Sequence, residues 1–183
     1  ITLTGIANGS ETLTVTPMAN SIYDANGNAA STTQSNNTAT LLDGRIAIIT
    51  SFAHDSYYGE ENSIIRIDSD TYLLAFKRGS SGELKTFTIT ADGSTVTQVV
   101  ANNHASSSIY HQDLLQIDAD TYILAYSGYD ATTGSGHHVK TFKVKPDGSS
   151  IDQIGDLRHD IYNSYNDYVS LVKVDHDTYA LAY

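Results

Sequence analysis

The sequence predicts an all-β fold in which four-stranded antiparallel sheets stack face on face around an axis, as the blades of a partial β-propeller. Three observations carry this expectation. A motif recurs three times: Ile67-Asp-Ser-Asp-Thr-Tyr-Leu-Leu-Ala-Phe76, Ile117-Asp-Ala-Asp-Thr-Tyr-Ile-Leu-Ala-Tyr126 and Val174-Asp-His-Asp-Thr-Tyr-Ala-Leu-Ala-Tyr183. The copies are 50 and 57 residues apart, enough for four short strands and their turns. The central run of each motif is apolar on both faces. In the first copy Tyr72, Leu74 and Phe76 point one way, and Leu73 and Ala75 the other. A strand buried on both sides needs a layer above and a layer below. No stretch sustains a 3.6-residue period, so a helical repeat is excluded. A parallel β-helix is the main alternative, although its coils are usually shorter.

Residues 1–42 lie outside the repeat. Ile1–Ile6, Glu11–Thr16 and Thr38–Leu42 each alternate in the manner of a strand. Between them runs Ser21-Ile-Tyr-Asp-Ala-Asn-Gly-Asn-Ala-Ala30, with an Asp-x-x-Gly-Asn turn at Asp24, Gly27 and Asn28. This segment resembles the closing half of a bacterial immunoglobulin-like domain, of the kind found in tandem in large surface adhesins. The resemblance implies a β-sandwich fragment over 1–42, against roughly 100 residues for a whole sandwich.

Residues 43–183 are the repeat region. Arg45–Phe52 aligns with the last strand of a preceding blade, Ile46–Ile49 falling where Val96–Val99 falls. The first full blade has expected strands a to d at Ser63–Ile67, Tyr72–Phe76, Leu84–Thr90 and Thr95–Val100. In the second, Lys140-Thr-Phe142 matches Lys85-Thr-Phe87, and Asp147-Gly148 matches the hairpin signal Asp92-Gly93. Tyr183 closes strand b of a third blade. The region therefore reads as one outer strand, two full blades and half of a third. The Asp-x-Asp-Thr-Tyr-x-Leu-Ala-Tyr and Lys-Thr-Phe motifs resemble long propeller repeats of secreted and surface proteins from marine and environmental bacteria. That resemblance implies an extracellular or cell-surface location. A ring closes with at least about four blades. The expectation is that a longer polypeptide or neighbouring chains complete it by strand donation, giving a fibre where the contact does not close.

The length variation is confined to one end of the blades. Five of the seven extra residues fall in the b–c loop and two in the d–a connection. Both emerge at the same end, termed the top, where repeat proteins commonly bind ligands. The top loops are rich in Tyr, His, Asn and Asp. Candidate ligand-binding residues are His54, Tyr57, His104, Tyr110, Tyr129, His159 and Tyr162. Aromatic faces stack on sugars while amides and carboxylates take hydroxyls. For the three histidines the alternative is packing between blades. His137-His138 reads as a metal pair or as an exposed polar loop. The bottom turns repeat Asp68 and Asp70, Asp118 and Asp120, and Asp175 and Asp177. These carboxylates either cap their own turns or hold Ca²⁺, and their spacing does not match an EF-hand loop.

Composition narrows the function classes. The 183 residues carry a formal net charge of −11, which argues against nucleic acid and anionic membrane surfaces. There is no Cys, hence no disulfide framework and no thiolate chemistry. No apolar run reaches ~18 residues, so no membrane-inserted helix is expected. A 40% apolar fraction with 13 Tyr supports a folded core. No Gly-x-Ser-x-Gly, His-Glu-x-x-His or P-loop pattern occurs. The top-face acids Asp55, Glu60, Glu61, Asp130 and Asp160 show no pairing of the kind glycosidases need. The expectation is a non-enzymatic, extracellular structural or adhesive module. A glycan-binding propeller is the alternative, and calcium is the sole cofactor raised.

Overall fold

The computed structural model describes residues 12–14, 16–33, 35, 38–40, 48–57, 59–159 and 168–183. Among them there are twelve strands and no helix. The chain divides into two units, Ile1–Ile48 and Ile49–Tyr183. The expected boundary after residue 42 lies outside the described residues, as does the expected strand at Ile1–Ile6.

In the first unit β1 (Thr12–Thr14) pairs antiparallel with β2 (Thr38–Thr40), Leu13 facing Ala39. The Asp-x-x-Gly-Asn segment is a turn held by Asp24. Its Oδ1 accepts the N–H of Asn26 and Asn28, each at 2.9 Å, and its Oδ2 accepts the Asn28 side-chain amide at 3.0 Å. Gly27 supplies the left-handed conformation the turn requires, with φ of 83°.

The second unit contains the repeats. β3 (Gly59–Arg66), β4 (Thr71–Arg78), β5 (Ser81–Ile89) and β6 (Val96–Ala105) form one antiparallel meander in chain order. β7 (Ser107–Gln116), β8 (Thr121–Asp130), β9 (Gly134–Val144) and β10 (Ile151–Arg158) form a second. β11 (Ser170–Lys173) and β12 (Tyr179–Ala182) make a two-stranded hairpin. The registers repeat. Tyr72 faces Phe87 and Leu74 faces Lys85 in the first sheet, while Tyr122 faces Phe142 and Leu124 faces Lys140 in the second. All four expected strands of the first repeat are present as β3 to β6, and each runs further than expected at its top end. Polar residues there, such as Glu60, Asn102 and Asn103, stay in the ladder because a neighbouring strand satisfies their backbone groups.

The two faces of β4 go to separate cores, as its apolar pattern requires. Leu73, Ala75 and Leu84 pack with Leu114, Tyr122, Leu124, Tyr126 and Phe142 of the second sheet. Leu74, Phe76 and Phe87 form a smaller cluster on the opposite face. Phe52 meets Phe87 there edge-on, with ring centroids 5.6 Å apart. Each such side chain contributes about 1.5–3 kcal/mol when fully buried, so stacking rather than any single sheet stabilises the unit.

Hydrogen bonds between sheets repeat as well. The Ser63 hydroxyl accepts the Leu114 N–H at 3.0 Å, and the carboxylate of Asp113, fifty residues on, accepts the Leu171 N–H at 2.7 Å. The first strands of successive units are thereby neighbours. At the other side of the stack, the Thr86 hydroxyl donates to the Gly148 carbonyl at 2.7 Å. Asn102 donates its amide to the Ile151 carbonyl at 2.9 Å. The antiparallel sheets thus stack in series, and no closed sheet occurs among the described residues.

Candidate functional site

Three recurring side-chain sets occupy fixed places in the repeat. The first is the sheet junction. His54 sits edge-on against Phe76, His104 against Tyr126 and His159 against Tyr183, with ring centroids 4.7, 5.1 and 4.7 Å apart. Each histidine follows one unit and packs on the aromatic residue that ends the apolar strand run of the next. A lysine then locks the contact. Lys85 Nζ donates to the His54 carbonyl at 2.7 Å, and Lys140 Nζ to the His104 carbonyl at 2.6 Å.

Each lysine also finds carboxylates, but from different places in the chain. Lys85 lies 3.2 Å from Asp55 Oδ2 and 3.7 Å from Glu83 Oε2. Lys140 lies 2.7 Å from Asp130 Oδ2 and 3.4 Å from Asp156 Oδ2. Burial opposes ionisation of Asp130, but Lys140 and the N–H groups of Thr132 and Thr133 outweigh it and hold the carboxyl at about 2. The same contest at Asp55, with burial set against the Tyr57 N–H and Lys85, leaves its carboxyl below the ordinary value.

His104 is 3% exposed, and its Nε2 meets Gln112 Oε1 at 2.7 Å. An amide oxygen only accepts, so Nε2 carries the proton. Burial then keeps the ring neutral, with its pKa lowered to about 3. His138 stacks on Tyr126 at 4.9 Å, and burial lowers its pKa too. His54 is half-buried and His159 exposed, whereas His104 packs between sheets and is removed from any open face. His137 and His138 are likewise buried rather than in an exposed loop.

The second set is a row of bulges near the start of the first strand of each sheet. Pairing of β3 with β4 is irregular between Glu60 and Ser63, and that of β7 with β8 between Tyr110 and Asp113. Glu61 and His111, at equivalent positions, both adopt positive φ, 53° and 48°. Bulges re-aim side chains, and these two meet. Glu61 Oε2 is 3.2 Å from His111 Nδ1 and accepts the His111 N–H at 3.2 Å. The His111 ring stacks on Tyr168, the third equivalent, with centroids 3.9 Å apart. Sequence reasoning did not single out this row, because acid, imidazole and phenol share no chemistry. Counting 50 and then 57 residues from Glu61 would have found it.

The third set is the acidic turns. Asp68 Oδ1 accepts the N–H groups of Asp70 and Thr71, each at 3.0 Å. Asp118 and Asp175 do the same at 2.9–3.2 Å for their own turns. The second acid, Asp70, Asp120 or Asp177, accepts the hydroxyl of the following threonine. Hydrogen bonds within the turn hold Asp68, Asp118 and Asp175 below the ordinary carboxyl value. The N–H of Asp70 and of Asp120 leads in the first two, and the Thr178 side chain in the third. Among the described residues no three His, Asp or Glu side chains gather to hold a metal ion.

The remaining candidate ligand residues divide by exposure. Tyr57 is 71% exposed and Tyr129 39%, both at the top. Tyr110 is half-buried, with Lys77 Nζ 4.5 Å from its ring. Tyr162 lies outside the described residues. Compared with known proteins, the chain matches no family model, no curated sequence and no solved structure.

Proposed function

We propose that this chain is a structural or adhesive module of an extracellular or cell-surface protein. In this reading its stacked sheets are blades of a propeller-type array, and residues 1–42 end an immunoglobulin-like domain. The observation that carries it is the repeated junction. The side chains with the most chemistry at the second junction, His104, Lys140 and Asp130, are buried where the two four-stranded sheets meet, Lys140 reaching across to the His104 carbonyl. Apolar residues remain exposed in the first strand of the first sheet, Ile64 (61% exposed), and in the last hairpin, Val172 (56%) and Val174 (61%). Apolar patches of this kind mark interaction surfaces, as expected of a module within a longer array or a self-assembling one. Sedimentation and electron microscopy of the purified chain test the assembly. Self-association or filaments are expected, and monodisperse monomers at all concentrations refute that part. No reaction is assigned.

Exposed Tyr57 and Tyr129 at one end favour a second reading, a lectin-like module whose aromatic faces bind glycans. A glycan array with the wild type and with Tyr57→Ala, Tyr110→Ala and Tyr162→Ala tests it. Failure of the wild type to bind any glycan removes it.

A further inference from the structure

We infer that Asn26 is a site of spontaneous deamidation, by attack of the Gly27 backbone nitrogen on the Asn26 side chain, and that the Asp24 carboxylate sets its rate by holding the turn closed.

The sequence contains two Asn-Gly pairs, Asn8-Gly9 and Asn26-Gly27. The first lies outside the described residues. In such a pair the nitrogen that follows the asparagine is uncrowded, because glycine has no Cβ. Asn26 is exposed, as are Asp24, Gly27 and Asn28 around it. Beyond the chain neighbours of Gly27, no atom stands within 4 Å of the point where a Cβ would be. Water therefore reaches the reacting atoms.

In the closed turn the Gly27 nitrogen is committed elsewhere. Its N–H donates to the Asp24 carbonyl at 3.0 Å, and the Asp24 N–H donates to the Asn28 carbonyl at 3.0 Å. Asp24 Oδ1 holds the N–H groups of Asn26 and Asn28, and Oδ2 holds the Asn28 side-chain amide. One carboxylate thus fixes the backbone on both sides of the reacting pair. Ring closure needs the nitrogen within about 3–3.5 Å of the side-chain carbon, which requires the turn to open. The rate then follows the population of the opened turn.

The step needs only water. The Gly27 nitrogen gives up its proton and bonds to Asn26 Cγ, the Cγ–Nδ2 bond breaks, and ammonia leaves with the proton. The product is a five-membered cyclic imide. Water opens it at either carbonyl carbon, giving aspartate with the original backbone or isoaspartate with the chain running through Cγ. The sum is one water taken up and one ammonia released. Isoaspartate adds one atom to the backbone between Asp24 and Asn28, and either product places a second carboxylate two residues from Asp24. The Asn28 N–H then no longer meets Asp24, and the Tyr23–Ala29 bridge that closes the turn loses its register. The change is one-way, because a turn that has reacted cannot close as before.

The test is ageing of the whole chain at mildly alkaline pH, folded and in urea. Peptide mass spectrometry reads conversion at each asparagine and separates aspartate from isoaspartate. In the folded chain residue 26 should convert, more slowly than in urea but faster than exposed Asn20, which precedes serine. Asp24→Ala should speed conversion of the folded chain about tenfold, the factor that one hydrogen bond to a charged group is worth. Asp24→Asn, which keeps an acceptor oxygen and the side-chain shape, should fall between. In urea all three chains should convert Asn26 at one rate, close to that of Asn8. Hydrogen exchange should show faster exchange of the Asp24, Gly27 and Ala30 amides in the aged chain than in the fresh one. Three results overturn the inference: conversion at Asn26 no faster than at Asn20, equal wild-type rates in the folded chain and in urea, or a folded rate that neither Asp24 variant changes.

Discussion

Replacing Lys140 by Met removes one charge from the second junction and keeps a stem of similar length. Lys140 is 3% exposed and reaches Asp130 Oδ2 at 2.7 Å and the His104 carbonyl at 2.6 Å. In the variant the Asp130 side chain, 9% exposed, loses its nearest cation, and the carbonyl loses its donor. Removing one member of a buried pair costs about 3–5 kcal/mol, because the other is left uncompensated. Lys143, three residues along the same strand, is an internal control. Its Nζ lies 3.3 Å from Asp120 Oδ2, but the two side chains are 57% and 41% exposed, so Lys143→Met should cost about 0–1 kcal/mol. Of the 13 tyrosines only Tyr23 precedes Ile49, so urea unfolding followed by tyrosine fluorescence reports the second unit. The midpoint should fall far for Lys140→Met and little for Lys143→Met. Adding Asp130→Asn to Lys140→Met should recover part of the loss, as expected of coupled neighbours. Equal shifts for the two lysine variants would refute the claim that Lys140 locks the junction.

Gly148 has φ of 71°, and an added Cβ would stand 3.0 Å from Thr71 Cγ2 and Thr86 Cβ. Gly148→Ala therefore combines left-handed strain with overpacking and should cost about 2–4 kcal/mol. Gly93→Ala meets the flexible end of Ile49 at 3.3 Å and should cost about 1–2 kcal/mol in the same unfolding assay. Acid stability should follow His104, whose folded pKa of about 3 lies below its ordinary 6.5. As pH falls below 6.5 the unfolded chain takes up a proton that the folded chain refuses. Stability present above 6.5 is then lost at about 1.4 kcal/mol per pH unit. His104→Gln should flatten that slope between about pH 6.5 and 5, above the range where carboxyls titrate, and an unchanged slope would exclude His104 as its source. Because Asp68, Asp118 and Asp175 already accept their own turn amides, millimolar calcium should leave the melting temperature unchanged. A calcium-dependent rise would assign those turns to metal binding.

The strand order was legible in the sequence because the repeat exposes it. Leu73 and Ala75 against Leu74 and Phe76 announce a strand covered on both faces, and the two core clusters separate along that division. Asp92-Gly93 and Asp147-Gly148 mark their hairpins because glycine supplies the left-handed turn residue. The top ends of the strands were not legible, since polarity there reflects exposure and not the loss of pairing. The histidines recur visibly, but their burial depends on Phe76, Tyr126 and Tyr183 arriving from the next unit, more than twenty residues on. The Glu61, His111 and Tyr168 row was hidden because a bulge preserves backbone shape and leaves side-chain identity free.

The changing source of the carboxylate beside each junction lysine has a consequence for how such a chain can grow. The position equivalent to Asp55 is Ala105, and that equivalent to Asp156 is Ala101. Lys85 depends on an acid contributed by the segment ahead of its sheet, whereas Lys140 is neutralised by Asp130 and Asp156 of its own sheet. The junction lysine of the second four-stranded sheet thus has its counter-ions within that sheet, and that of the first does not. A gene duplication that placed a copy of Gly59–Ser108, one full 50-residue period, directly after itself would set its lysine against Ala105 in place of Asp55, with Glu83 the one acid remaining. A copy of Ser107–Arg158 inserted at the same point would bring its own counter-ions. Tandem expansion of this chain is therefore biased toward the second repeat, Ser107–Arg158, as the segment to multiply.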